Sequence, residues 1–194
     1  SQSYLSTSTI INSDLTNSVF KNSDLRGVLM INSILENTSF ENVDFSNSEL
    51  KNLDFTKSTL KNSKFNGAYI KECILDEMDF STLEIHGDKL TGSPTDFVSC
   101  SMKYSNFSKV NMNNVDFTSK DILVDDEYVI YPGSDLSNSV FTGIDLRNTM
   151  FSMWSSIKHT VCNQDGTDCK DAGVDDRTFF SYKFAVPVGM DPLD

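Results

Sequence analysis

Cys162 and Cys169 flank "NQDGTD", whose Asp-Gly step marks a turn. A disulfide between them would close a small loop of low entropic value. It would also imply an oxidising, exported setting, whereas free thiols favour the cytoplasm. Spacing leaves the pairing open, because bridge geometry belongs to the fold. Around the pair, Asp165, Asp168, Asp171, Asp175 and Asp176 offer oxygen ligands of the kind calcium takes. The EF-hand spacing, with Gly at the sixth position and Glu at the twelfth, is absent, so they read as a solvated acidic loop. A second cluster, "DDEYVIYPG", combines Asp125, Asp126 and Glu127 with Tyr128 and Tyr131. Carboxylates beside phenols suit binding rather than bond-making, and this is the candidate interaction loop. For catalysis the parts are missing. The two histidines, His86 and His159, lie in different regions, and no G-x-S-x-G, P-loop or H-E-x-x-H occurs. No acid, base and nucleophile converge, so neither an enzyme nor a cofactor is expected.

What must position these groups is a repeat. From Leu5 every fifth residue is apolar: Leu5, Ile10, Leu15, Phe20, Leu25, Met30, Leu35, Phe40, Phe45, Leu50, Phe55, Leu60, Phe65, Ile70, Leu75, Phe80, Ile85 and Leu90. In a chain that is 38% hydrophobic, 18 such residues without a miss are a design and not an accident. Two residues before most centres sits a small residue, such as Ser13, Ser18 or Ser23. Two residues after sits Asn or Gly in 13 of the 18, Asn12, Asn17, Asn22 and Gly27 among them. A small and a large side chain two apart point the same way on a short strand. Asn and Gly tolerate the positive φ that the third residue of a type II turn requires. Each five residues therefore make an inward-facing segment and a corner. Four corners close a square coil, which stacks Leu5 on Leu25, Phe45 and Phe65.

The motifs "SDLTN", "SDLRG", "VDFSN", "LDFTK", "MDFST", "VDFTS", "SDLSN" and "IDLRN" resemble the consensus of the pentapeptide-repeat proteins. The resemblance covers roughly residues 1 to 155. It implies an all-β fold, a right-handed quadrilateral β-helix. The beat breaks after Leu90 and restarts at Phe97, running through Met102, Phe107, Met112, Phe117 and Ile122. After "LVDDEYVIYPG" it resumes at Leu136, Phe141, Leu146 and Phe151. That predicts 28 repeats in seven coils, a rod of about 34 Å at roughly 4.8 Å per layer. Loops are expected near 91–96 and 123–133, with residues 156–194 as a C-terminal cap or tail. After Phe97 the corner column reads Ser99, Tyr104 and Lys109, which suggests corners of another type. Cys73 and Cys100 fall in the small inward column and should pack as small hydrophobes.

The ends bear on partners. An open β edge invites association. The first coil shows no cap, so an upstream segment or another molecule is expected against it. At the far end Trp154 and Ile157 can cover the last coil. "TFFSYKFAVPV" alternates as a strand through Phe180, Tyr182 and Phe184, to cap the rod or to join a second copy in a homodimer. No stretch approaches the roughly 20 apolar residues of a membrane helix.

Asp and Glu number 28 against 16 Lys and Arg, a net charge of -12. That disfavours direct binding to nucleic acid or anionic lipid. The expected function is a rigid scaffold that shows faces and loops to a protein partner. An alternative is similarity in kind to the quinolone-resistance pentapeptide proteins, which implies mimicry of DNA toward gyrase or topoisomerase. Mimicry needs an unbroken acidic stripe. The stacked columns Asp14, Ile34, Asp54, Ile74 and Tyr4, Asp24, Asp44, Lys64, Glu84 are diluted instead.

Overall fold

The computed structural model describes residues 4–117, 120–124, 127–131, 134, 136, 139, 150–151 and 173–174. Ten short strands form: β1 (Thr9–Ile11), β2 (Leu29–Ile31), β3 (Glu49–Lys51), β4 (Tyr69–Lys71), β5 (Thr95–Val98), β6 (Val115–Asp116), β7 (Lys120–Val124), β8 (Glu127–Tyr131), β9 (Met150–Phe151) and β10 (Gly173–Val174). A single 3-10 turn spans Phe80–Thr82. Eight strands line up in parallel in the order β1-β2-β3-β4-β5-β6-β9-β10, and this column is one wall of a solenoid of about five turns.

The walls follow from the period. A regular coil sets each residue over the one four repeats on, as in Thr9↔Leu29, Leu29↔Glu49 and Glu49↔Tyr69. The four walls carry centres in rotation. The first holds Leu5, Leu25, Phe45, Phe65 and Ile85, and the second holds Ile10, Met30, Leu50, Ile70, Phe97 and Phe117. The third holds Leu15, Leu35, Phe55, Leu75 and Met102, and the fourth holds Phe20, Phe40, Leu60, Phe80 and Phe107. From Leu25 to Phe117 these centres are buried, in one continuous core. Leu5, Ile10, Leu15 and Phe20, in the first described coil, are only partly buried. Stacking repeats ring on ring: Phe20 over Phe40 at 5.3 Å, Phe45 over Phe65 at 5.1 Å and Phe97 over Phe117 at 5.2 Å, all near parallel. Such pairs add about 0.5–1.5 kcal/mol each beyond burial.

Corners close as the sequence requires. The centre's carbonyl accepts from the N–H three residues on, as in Ser8 to Leu5 (3.1 Å) and Ser18 to Leu15 (2.9 Å). The third turn residue has positive φ at Asn12, Asn17, Asn22, Gly27 and most of their successors, though not at Lys57, Thr82 or Gly87. Ser99, Tyr104 and Lys109 adopt the same left-handed conformation, with φ of 54°, 58° and 63°. The different residue types after Phe97 therefore do not mark a different corner; the corners that depart from the left-handed conformation lie earlier, at Lys57, Thr82 and Gly87.

The small column does more than make room. Ser58 Oγ donates to the Leu35 carbonyl at 2.8 Å, Thr38 Oγ1 to Leu15 at 2.8 Å, Ser105 Oγ to Leu75 at 3.0 Å and Ser139 Oγ to Met102 at 2.8 Å. Several also accept from the coil below, as Ser63 does from the Val43 N–H at 3.0 Å. The hydroxyls thus bridge neighbouring coils inside the core. Cys73 and Cys100 take the same place, with Sγ against the Leu50 carbonyl at 3.6 Å and the Ile70 carbonyl at 3.4 Å.

Two expectations about the breaks are corrected. Across the first break Tyr69 pairs with Asp96 and Ile70 with Phe97, where a regular coil would have offered Lys89 and Leu90. Phe97 fills the place Leu90 would have taken, and Leu90 is 96% exposed. The loop opens at Gly87, not after Leu90. A seven-residue insertion happens to put a leucine on the old beat. Across the second break Asp116 pairs with Met150, where a regular coil would have offered Leu136. Ile122 is not a centre: β7 and β8 form a separate antiparallel hairpin in which Ile122 pairs with Val129. Removing Leu90 and Ile122 lowers the predicted count of centres to 26, and the described residues make a solenoid of about five turns.

Four stability outcomes follow. Phe45→Ala should lower unfolding free energy by about 3–5 kcal/mol in chemical denaturation, with Asp14→Ala within roughly 0.5 kcal/mol of the parent. Ser63→Ala strands the Phe40 carbonyl and the Val43 N–H, and should cost about 1–3 kcal/mol. Lys109→Asn, at an exposed corner, should raise stability by about 0.5–1 kcal/mol, since Asn tolerates the left-handed region.

Candidate functional site

Among the described residues, the feature that stands out from the wall is the loop between Ile85 and Thr95. Its foot is held by the Gly87 N–H on the Asn113 carbonyl at 2.9 Å. Asp88 organises the rest. Its N–H reaches the Ser93 carbonyl at 2.8 Å, and its carbonyl accepts from the Gly92 N–H at 2.8 Å. Its carboxylate accepts from the Leu90 N–H at 2.8 Å and from Asn47 Nδ2 at 2.8 Å. These bonds, the Leu90 N–H first, hold the Asp88 carboxyl below the usual carboxylate range. Asn114 Nδ2 donates to the Gly92 carbonyl at 3.1 Å and ties the far arm. A Cβ on Gly87 would meet Asn114 and the Ser93 carbonyl, the latter at 2.8 Å, so the fold requires glycine there for space. The loop is therefore braced, and it holds a leucine in solvent at its tip.

The second candidate lies at the hairpin. Glu127, Tyr128 and Tyr131 belong to β8 and pair with Val124, Leu123 and Lys120. Asp125 and Asp126 lie outside the described residues, as do Phe141, Cys162, Cys169, Trp154 and the "TFFSYKFAVPV" strand. Phe151 is in β9, paired with Val174 of β10.

Elsewhere the walls pair their own charges. Lys21 meets Glu41 at 2.7 Å, Lys57 meets Glu36 at 2.9 Å and Lys64 meets Glu84 at 3.2 Å, each across one coil step. Arg26 grips Asp24 at 2.7 Å and touches Asp44 at 4.0 Å. The hydrogen bond from Arg26 lowers the Asp24 carboxyl, and that from Lys21 lowers Glu41. Burial pushes Glu84 upward, but the bonds from Lys64 and Asn66 outweigh it. Of the two columns expected to dilute an acidic stripe, the one that holds Asp24, Asp44, Lys64 and Glu84 is also partly neutralised by these pairs. Such exposed pairs add little stability, about 0–1 kcal/mol each. Their effect is on the field the wall presents.

Groups with chemical potential are occupied structurally. Buried Ser105, Ser134 and Ser139 spend their hydroxyls on carbonyls of the preceding coil, whereas the buried Ser48 Oγ has no partner among the described residues. Burial pushes the Cys100 thiol well up, away from the thiolate that a nucleophile needs. His86 Nδ1 lies 2.7 Å from the Gly87 carbonyl. Among the described residues, no three His, Cys, Asp or Glu side chains converge as a metal site. Sequence reasoning missed both the hydroxyl ladder and Leu90. Its signal for the first was the Ser and Thr bias of the small column, where Ala would have filled the same space.

Comparison with known proteins comes down to the repeat. The family model "Pentapeptide repeats" matches residues 23–62 and 38–76, with 8 copies. No curated protein matches. A trypsin-treated form of QnrB1, a plasmid-mediated fluoroquinolone resistance protein, shares 17% identity over 83% of this chain and 89% of its own, at a TM-score of 0.47. HetL, a pentapeptide repeat protein involved in heterocyst differentiation regulation from the cyanobacterium Nostoc, shares 15% over 85% and 89%, at 0.32. A pentapeptide repeat protein of the Arabidopsis thaliana thylakoid lumen shares 16% over 76% and 67%, at 0.26. The stretch from Ser23 to Asp76 is thus a run of pentapeptide repeats, and the coils that flank it keep the same beat.

Proposed function

We propose that the protein is a non-enzymatic interaction scaffold, a rigid four-walled rod that presents its insertion loops to a protein partner. The observation that carries this is Leu90, 96% exposed at the tip of a loop braced by Asp88, Asn47 and Asn114. A lone exposed leucine is ordinary on a surface. A leucine on a pre-organised loop is different, because little conformational entropy remains to be lost when a partner covers it. The loop stands on a rod that supplies the rigidity, the usual division of labour between scaffold and loop. The hairpin β7–β8, whose second strand carries Glu127, Tyr128 and Tyr131, is the second insertion that the rod offers. DNA mimicry is the weaker reading, since several of the described acidic residues are paired with Lys or Arg.

A photo-reactive amino acid placed at Leu90 should cross-link one predominant protein from the native host, and wild-type rod should compete it away. A Leu90→Asp competitor should fail, and so should Asp88→Ala, which removes the brace without touching the tip. Equal competition by all three rods would overturn the assignment to this loop. In parallel, gyrase supercoiling should be unchanged by micromolar protein, with or without fluoroquinolone; inhibition or protection would restore the mimic.

A further inference from the structure

The second wall is unbroken from β1 to β6, rung upon rung. The fourth wall is not. Val19 bridges Ser39, Ser39 bridges Thr59, and Asp79 bridges Asn106, but among the described residues no bridge joins Thr59 to Asp79. The bonds that a regular rung would make there are missing too. Phe20 N–H reaches the Ser39 carbonyl at 2.8 Å and Phe40 N–H the Thr59 carbonyl at 2.7 Å, while Leu60 N–H has no such bond to Asp79. Both adjoining corners are open as well. Asn22 and Asn42 donate to Glu41 and Lys61, but Asn62 does not donate to Ser81. Asn17 donates to Glu36, but Lys57 does not donate to Asp76.

Side chains respect the same divide. Below it, Lys57 pairs with Glu36 and Ser58 donates to the Leu35 carbonyl. Above it, Asp76 accepts from Ser101 and Lys103, and Asp79 accepts from Asn106. Every one of these bonds points away from the gap. Between the lips lies a cleft of about 870 Å³, lined by Thr59, Leu60, Lys61, Asp76, Met78 and Asp79 among others.

The cause is legible in one column. The small inward positions of the fourth wall are Ser18, Thr38, Ser58, Met78, Ser105 and Ser139. Thr38, Ser58, Ser105 and Ser139 donate to the carbonyl of the coil below. Met78 cannot donate, and it brings a long unbranched side chain to a place sized for a hydroxyl. The third wall repeats the relation on a smaller scale: the one large residue of its small column is Leu53, and the bridge missing there is Ile34 to Asp54. Of its corners, Asn32 N–H keeps the regular bond to Lys51, while Asn37 N–H reaches Lys57, one residue past the regular place, at a corner without the left-handed φ. Leu83, delivered by the 3-10 turn, keeps its rung through Lys64↔Glu84. The first wall lacks Glu84 to Asn111, at the foot of the insertion loop, but Gly87 still holds Asn113.

We propose that the seam between Thr59 and Asp79 is a hinge. In a square coil the fourth wall faces the second. The intact second wall is then the spine, and the seam opposite it is where the rod opens as it bends. Only apolar packing of Leu60 and Phe80 within the core closes that side, and packing tolerates sliding where a ladder bond does not. The hinge divides the rod into a block below residue 60 and a block above that carries the Leu90 loop.

Residue-resolved amide exchange on the full chain tests this. Thr59 N–H (to Thr38, 3.0 Å) and Phe80 N–H (to Asn106, 2.8 Å) are bonded away from the seam, as Ser39 N–H is to Ser18 at 2.9 Å. Both should exchange at least tenfold faster than Ser39, although Ser39 lies nearer the chain's start. Leu50 and Ile70 on the spine should stay as slow as Ser39. Met78→Ser, which supplies the missing hydroxyl, should slow Thr59 and Phe80 at least tenfold. Protection of Thr59 and Phe80 equal to that of Ser39 in the parent would overturn the hinge. Fast exchange unchanged by Met78→Ser would overturn the assignment of Met78 as its cause.

Discussion

The whole structure depends on parallel stacking in phase. Each backbone rung bonds to the rung one coil away, so each residue must lie over its counterpart four repeats on. Ladder spacing is fixed near roughly 4.8 Å by the hydrogen bond itself. Everything else is required to match it. Phenylalanine rings stack face to face at 4.3–5.3 Å because that brackets the ladder spacing. Hydroxyls bridge coils because a serine side chain reaches from one rung to the carbonyl of the next. Corners repeat a positive φ because a coil that turned elsewhere would slip out of phase with its neighbours.

Such a wall leaves little freedom for chemistry. Inward side chains are consumed by the core, and the corner residues by conformation. What remains is one outward residue before each centre, one after it, and whatever the chain inserts between coils. Some outward charges find partners on the neighbouring coil, as Lys21 and Lys57 do. The insertions are the sites where the chain departs from its own rule, and there it places an exposed Leu90 and a separate hairpin. Loop insertion costs little in stability when the coil above re-registers at once. Pairing of Ile70 with Phe97 shows that it does.

Departures inside the wall have a different character. A repeat architecture is stable as a sum of neighbouring interfaces, so one misfit residue weakens one interface and no other. Leu53 and Met78 occupy positions sized for a hydroxyl, and a rung is missing at each. The core stays continuous across both because apolar packing adapts where directional bonds cannot. The rod is therefore uniform in its core and segmented in its walls.

The period, the centres, the corner residues and the four-repeat coil were legible in one chain, because each coil repeats the same instruction and errors cannot hide in so long a run. Leu15, Phe20, Leu25, Phe40, Phe45, Phe55, Phe65, Phe80, Phe107 and Phe117 were all readable as inward positions for that reason. Where the run broke, reading failed in a specific way. Counting by five carried Leu90 and Ile122 into the core, since periodicity says where the beat resumes and not which residues were inserted. Only the ladder decides that, by pairing Ile70 with Phe97 and Asp116 with Met150. Likewise, the small column was readable as a matter of size, while the bond from each hydroxyl to a carbonyl of an earlier coil is a relation between coils. The sequence determines what each coil is, because its signals are local and repeated. Which coils hold fast, which part and what stands out from them was decided by the contacts between layers, and those exist only once the chain has wound upon itself.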